Sequence, residues 1–206
     1  MGRRFVAERR YDRFYRAAQE EGLRSRAAFK LGHLAGRFPI FHRGDRVLDL
    51  GAAPGGWSVV ARQTLGRGGT VVAVDPRPIE PIPGVVVVRG RVGDATLPSR
   101  LGPEPFDVVL SDMSPRISGA YSTDHARSVA LVRDAFGLAR EVLSPGGTMV
   151  VKVFDGDLLD ELEKELETSF DKVVRTKPPA SRERSSELYL LAFKFHRPRL
   201  AGRAPA

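Results

Sequence analysis

The chain of 206 residues contains no cysteine. That absence excludes a disulfide scaffold, a thiolate metal centre and catalysis by a cysteine nucleophile. Its four histidines are scattered and show no HxxxH spacing, so a metal site is not expected. No apolar run approaches the ~20 residues that a membrane span needs. The first residues, MGRRFVAERRYDRFYR, are charged throughout and carry no apolar stretch, unlike a secretory signal. Asparagine is missing, and arginine outnumbers lysine 27 to 6. Loss of thermolabile amides fits a thermophile, while a GC-rich genome gives the same arginine bias. The expectation is a soluble cytoplasmic protein, monomeric, with neither a membrane nor a disulfide partner.

Charge is what the chain has in excess, and it is uneven. Residues 1–46 carry 12 Lys/Arg against 5 Asp/Glu, residues 47–170 carry 12 against 17, and residues 171–206 carry 9 against 3. Basic ends around an acidic middle suggest a polyanion-binding surface built from the termini. A solvated surface with disordered basic tails is the plainer alternative.

Short β-branched runs recur: RVLDL (46–50), TVVAVD (70–75), VVVVR (85–89), DVVLSD (107–112) and TMVVKVF (148–154). Continuous apolar runs suit strands covered on both faces. Between them lie helical stretches at 56–66, 123–143 and 157–169, the second closed by SPGG (144–147) acting as a stop and turn. Earlier, residues 8–21 read as a short amphipathic helix. Ser25 caps another helix with Ala28, Leu31 and Leu34 on one stripe. FDKVVRTK (170–177) and ELYLLAFKF (187–195) add two strands around a polar loop, 178–186. Strands alternating with helices imply an α/β fold, here seven strands in one doubly wound, mostly parallel sheet.

Three features carry chemistry. DLGAAPGGW (49–57) is a glycine-rich turn between the first strand and its helix, at the sheet edge where such folds bind ligands. It is neither GxGxxG nor a P-loop. Asp75, Asp94 and Asp112 close successive strands at that edge. Asp75 is placed to accept from a ribose diol, and Asp94 to meet an adenine amino group. Each Asp alone could equally be a strand-end cap. Together, three carboxylates repel one another unless a cation compensates. An adenosine carrying a sulfonium, S-adenosylmethionine, answers both needs, with NAD as the competitor. Lastly, Lys152 interrupts an apolar strand, Lys30 sits mid-helix among apolar neighbours, and Glu187 opens the last strand. Converging beside Asp112, these would form a buried network of two ammoniums and two carboxylates.

RSRAAFKL, DLGAAPGGWS, SDMSPRISG, VKVF and SRERSSELYL, in this order, resemble the FtsJ/RrmJ family of ribosomal-RNA ribose 2′-O-methyltransferases, from about Arg24 to Phe195. The resemblance implies a Rossmann-like class I methyltransferase sheet with an antiparallel last strand. It implies a catalytic tetrad of Lys30, Asp112, Lys152 and Glu187. It places cofactor contacts at Gly51, Gly55, Trp57, Asp75, Asp94 and Asp112. Arg91 stands where relatives often carry an acid. The implied division is a basic N-terminal extension over 1–23, a methyltransferase domain over 24–196 and a disordered tail over 197–206. The implied reaction is methylation of a uridine ribose in the A-loop of large-subunit rRNA, with S-adenosylmethionine as donor and the RNA met within the ribosomal subunit. Lys152 would act as base, oriented by Asp112, with Glu187 holding Lys30. Arg3, Arg4, Arg9, Arg10, Arg24, Arg26, Arg182 and Arg184, which flank Lys30 and Glu187, would grip phosphates. A tRNA anticodon-loop substrate, a non-catalytic RNA-binding module and a nicotinamide oxidoreductase are the competing readings.

Overall fold

In the computed structural model, residues 26–178 and 186–197 are described. The helix expected over 8–21 and the tail from 198 lie outside them. Seven strands form one sheet: β1 (Arg46–Leu50), β2 (Thr70–Asp75), β3 (Val85–Arg89), β4 (Phe106–Ser111), β5 (Leu143–Phe154), β6 (Phe170–Thr176) and β7 (Glu187–Phe195). Their order is β3-β2-β1-β4-β5-β7-β6. All neighbours pair in parallel except β7, which runs antiparallel to both β5 and β6. The chain winds outward from β1 through β2 to β3, then returns to place β4 on β1's other side. That reversal opens a crevice at the carboxyl ends of β1 and β4.

Helices cover both faces. On one lie α1 (Arg26–Arg37) and α2 (Gly56–Leu65). Leu31 and Leu34 of α1, with Val60 and Leu65 of α2, pack on Val47, Val108, Val150 and Leu191. On the other lie α3 (Leu97–Arg100), α4 (Tyr121–Val142) and α5 (Leu159–Glu167). Val129, Val132, Leu162 and Leu166 there pack on Leu48, Val109, Val151 and Leu190. Side chains alternate along a strand. Lys152 therefore shares the α1 face with Val150. The register pairs Lys152 with Tyr189 and Phe154 with Glu187, so Tyr189 and Glu187 share that face too. Among the described residues, no helix is long and apolar enough to cross a membrane.

Two expectations are revised, and one short element is added. β3 is an edge strand, and its valine run is not covered on both sides, since Val86 is 59% and Val87 39% exposed. SPGG does not stand apart as a turn. β5 starts at Leu143, which pairs with Phe106, and a register shift between Phe106 and Val108 absorbs the extra residues. Ser144 Oγ fastens this irregular start to the Phe106 carbonyl at 2.8 Å. Helix α3 has one turn only, too short to show a 3.6-residue period.

Burial of α1 is what fixes Lys30, so its core contacts should matter more than those of the edge. Leu31→Ala, at a fully buried position, should cost about 2–5 kcal/mol in urea unfolding. Val86→Thr on the exposed edge should stay within about 0.5 kcal/mol.

Candidate active site

The turn after β1 lies close against the end of β4. Gly51 has φ 71°, and a Cβ there would stand 2.5 Å from Met113 Cγ and 3.2 Å from Met113 Cα. The Met113 side chain could turn aside, but its backbone would stay at 3.2 Å, and the positive φ strains any residue with a Cβ there. Beside this contact opens a cleft of about 410 Å³, lined by Gly51, Asp75, Arg77, Arg91, Asp112 and Met113 among others. A cleft of that size is in the range of small-molecule sites, about 300–1,000 Å³.

Asp75 is buried at the end of β2. Its Oδ2 accepts from the Ala53 amide at 3.0 Å, and its Oδ1 from the Arg77 amide at 2.8 Å. The Arg77 guanidinium adds a contact at 3.1 Å. Burial alone would push this carboxyl up, but the bonds from Arg77 and Ala53 outweigh it and hold Asp75 below the usual carboxylate range. Asp112, just beyond β4, goes the other way. Burial raises it more than Lys152 and Lys30 lower it, and Glu187 adds to the rise.

Of the six residues expected to contact a cofactor, Gly51, Asp75 and Asp112 line the cleft, and Gly55, Trp57 and Asp94 do not. Gly55 N-caps α2 at φ 108°, where a Cβ would meet Ile82. Trp57 is buried in the core. Its indole N–H donates to the Ala27 carbonyl at 2.8 Å, joining α2 to α1, and its ring stacks obliquely on Tyr189 at 5.9 Å. Asp94 is exposed and turned to Thr96, accepting from its amide at 2.9 Å and its hydroxyl at 2.8 Å. Arg91 and Val92 stand in the cleft wall instead. Short side chains that bond two residues onward commonly make such turns.

The four tetrad residues come together as two ion pairs. Lys152 Nζ lies 3.0 Å from Asp112 Oδ1 and donates to the Asp112 carbonyl at 2.8 Å. Lys30 Nζ is paired with Glu187 Oε2. Lys152 is the most enclosed, with 7% of its side chain exposed. Beneath them lies Tyr189, whose ring centroid is 6.0 Å from Lys30 Nζ, a cation–π distance. Burial first, then the charges of Asp112 and Glu187, pushes the Tyr189 phenol up, so it stays protonated.

Two participants were not singled out from the sequence. Tyr189 could have been found by period two from Glu187 in ELYLL. Asp49 could have been found as an acid within the apolar run RVLDL. Asp49 is wholly buried under the glycine turn, accepts from Ser58 Oγ at 2.6 Å, and its Oδ1 has no hydrogen-bond partner among the described residues. Burial pushes it up to about 7, opposed by the Ser58 bond and reinforced by the charges of Asp112 and Asp75. Of the arginines expected to face RNA, all but Arg26 lie outside the described residues, and only the backbone of Arg26, at the start of α1, is described.

A seven-stranded sheet in this order, with its single antiparallel strand, a glycine turn after β1 and acids closing β2 and β4, defines a Rossmann-like methyltransferase. The solved ribosomal RNA methyltransferase from Plasmodium falciparum superposes with a TM-score of 0.75 at 28% identity, covering 84% of this chain and 98% of that one. A Streptococcus mutans protein solved in complex with SAH shares the fold alone (TM-score 0.52, 14% identity, 76% and 90% covered). The chain belongs to the FtsJ-like methyltransferase family, whose model matches residues 23–195. It is 45% identical to ribosomal RNA large subunit methyltransferase E of Archaeoglobus fulgidus over 91% of this chain and 98% of that protein. The same enzyme of Methanothrix thermoacetophila is 45% identical over 92% of this chain and 75% of its own length.

Asp49 generates a pH signature. Folded, it keeps its proton to about pH 7, against 3.8 ordinarily, so the folded state binds more protons in between. Its contribution to stability is full below about pH 4 and lost as pH rises to 7. Asp49→Asn should therefore gain about 1–4 kcal/mol relative to the unsubstituted protein across that window in urea unfolding. A difference that does not change with pH would mean that Asp49 ionises normally.

Proposed function

We propose that the chain transfers a methyl group from S-adenosylmethionine to the ribose 2′-hydroxyl of a uridine in large-subunit ribosomal RNA, in the A-loop of the peptidyl-transferase centre. The observation that carries the reading is the enclosed Lys152–Asp112 pair beside a second pair, Lys30–Glu187. The 45% identity to enzymes named for methylating large-subunit rRNA supports the substrate, with the assembled subunit as its natural setting.

The residues of the cleft fit the proposed cofactor. Asp75, held ionised, is a charged acceptor suited to a ribose diol. Gly51 lets the turn lie close against Met113 at the cleft wall, and Asp112 sets a carboxylate at the wall where a cation is favoured. Gly55 and Trp57 support the cofactor indirectly, through the shape of the turn and the seating of α2, and Asp94 through the loop that carries Arg91 and Val92. When bound, this cofactor supplies an electrophilic methyl group on a sulfonium.

A ribose hydroxyl is a poor nucleophile and must lose its proton as it attacks. Lys152 Nζ is the acceptor in this reading. A lysine accepts a proton only as the neutral amine, so Lys152 must release its own proton before each transfer. Asp112 fixes the direction of Nζ through its carboxylate and its carbonyl. Lys30, held by Glu187 and by the face of Tyr189, supplies the neighbouring positive charge. Much of the acceleration then comes from position, because the base is fixed before the RNA arrives.

Incubation with methyl-labelled cofactor and, separately, large subunits, rRNA and tRNA tests the reading. Label should appear as 2′-O-methyluridine in subunits or rRNA. Label confined to tRNA would redirect the substrate, and no label anywhere would remove the reading. Lys152→Ala should bind cofactor normally and lose about 10²–10⁴-fold in turnover. Lys152→Arg should be nearly as slow, since guanidinium does not release its proton at usable pH. Substantial activity in Lys152→Arg would show that the residue supplies charge and not a base. Asp75→Ala should weaken cofactor binding by about 1–3 kcal/mol in calorimetry.

A further inference from the structure

A second cleft, about 330 Å³, adjoins the tetrad. Ile117, Tyr121, Phe154, Ser186 and Glu187 form its walls. The tetrad thus gives one carboxylate to each cleft, Asp112 to the first and Glu187 to the second. Two of its walls are large apolar side chains open to solvent, Ile117 at 61% and Tyr121 at 60% exposure. Neither contributes to the core. Both are nevertheless held by fixed backbone.

Tyr121 Oη donates to the Asp155 carbonyl at 2.7 Å, and the Asp155 amide donates to the Ser186 carbonyl at 2.7 Å. The ring is anchored at its polar end and leaves its surface exposed. The loop before it is braced by Asp124, which accepts from the Ser118 amide at 2.9 Å, the Ser118 hydroxyl at 2.7 Å and the Gly119 amide at 3.1 Å. The opposite wall is braced from α4. Ser128 Oγ accepts from the Phe154 amide at 3.0 Å. His125 sits between the Phe154 carbonyl, 2.9 Å from Nδ1, and the Leu158 amide, which donates to Nε2 at 3.0 Å. With Nε2 accepting, Nδ1 carries the proton. A rigid, solvent-facing aromatic beside a reactive centre is suited to stacking, and any nucleobase offers it a π-face.

We propose that this second cleft receives the base of the nucleotide to be methylated, splayed out of the RNA, with Tyr121 and Ile117 as the platform on which it rests while its ribose reaches Lys152. The proposal depends on the ribose-methylating function argued above. Enzymes and binding domains that act on single RNA nucleotides take unstacked bases and hold them on aromatic side chains. The volume admits one base. The platform selects for a displaced base more than for its identity, because it offers a π-face and an aliphatic contact.

Steady-state transfer to large-subunit rRNA by Tyr121→Ala, Tyr121→Phe and Lys152→Ala tests it, with cofactor affinity by calorimetry as the check on folding. Tyr121→Ala should raise KM for rRNA by roughly 5- to 150-fold, the worth of one stacked base, with cofactor affinity unchanged. Tyr121→Phe keeps the ring and should stay within about threefold of the unsubstituted enzyme. An unchanged KM in Tyr121→Ala, with Lys152→Ala inactive, overturns the platform and leaves the ribose methylation standing. Equal damage from Phe and Ala also overturns it, since the hydroxyl tether would then matter and the ring face would not. Failure of the unsubstituted protein to label rRNA removes the underlying reading instead.

Discussion

Two ammoniums and two carboxylates can be held together away from bulk water only when each charge has an opposite neighbour. Lys152 with Asp112 and Lys30 with Glu187 meet that condition, and much of the architecture serves it. The four residues come from four elements: α1, the end of β4, β5 and β7. Removing one partner leaves an uncompensated buried charge, which typically costs more than the pair contributes. The network therefore constrains how α1 lies on the sheet, and the apolar stripe of Ala28, Leu31 and Leu34 holds it there.

The antiparallel strand is the topological answer to the same constraint. In a parallel strand, residues at the carboxyl edge are the last of the strand. β7 runs the other way, so its first residue, Glu187, lies at that edge opposite Phe154, the last residue of β5. Ser186, the residue before β7, lines the second cleft at the same edge. Reversing one strand thus gathers a carboxylate and a phenol at a place where a parallel strand would deliver its exit turn. The first cleft is built differently, from the close approach of Gly51 to Met113 and from the ionised Asp75. Asp49 lies beneath it, and the charges of Asp112 and Asp75 both act on its proton.

Most of the fold was legible because strand periodicity and glycine punctuation are local. β1, β2, β3 and β7 fall where the apolar runs place them. Lys152 was legible because a lysine within TMVVKVF contradicts its surroundings, whereas Lys30 and Glu187 were marked as its partners by the family resemblance. What depended on neighbours was not legible. Trp57 follows the glycine turn in sequence, yet its ring is drawn into the core by the Ala27 carbonyl and Tyr189. Asp94 ends a strand, yet it bonds two residues onward and leaves the cleft wall to Arg91 and Val92. The valines of β3 read as buried because composition does not reveal which strand becomes the edge. Ile117 belongs to a loop, and Tyr121 to the helix start it leads into, whose shape comes from Asp124, a relation that no periodicity encodes.

The central claim is that the two ion pairs act as one unit, with Lys30–Glu187 fixing the setting in which Lys152–Asp112 works. A double-mutant cycle on the single-turnover rate of methyl transfer tests it, using Lys30→Ala, Lys152→Ala and the two combined, one residue from each pair. If the unit is real, the double variant should be no slower than the worse single variant, within about threefold. Losses that multiply, so that the double variant falls by the product of the two single effects, would mean that the two pairs act independently and would contradict the account.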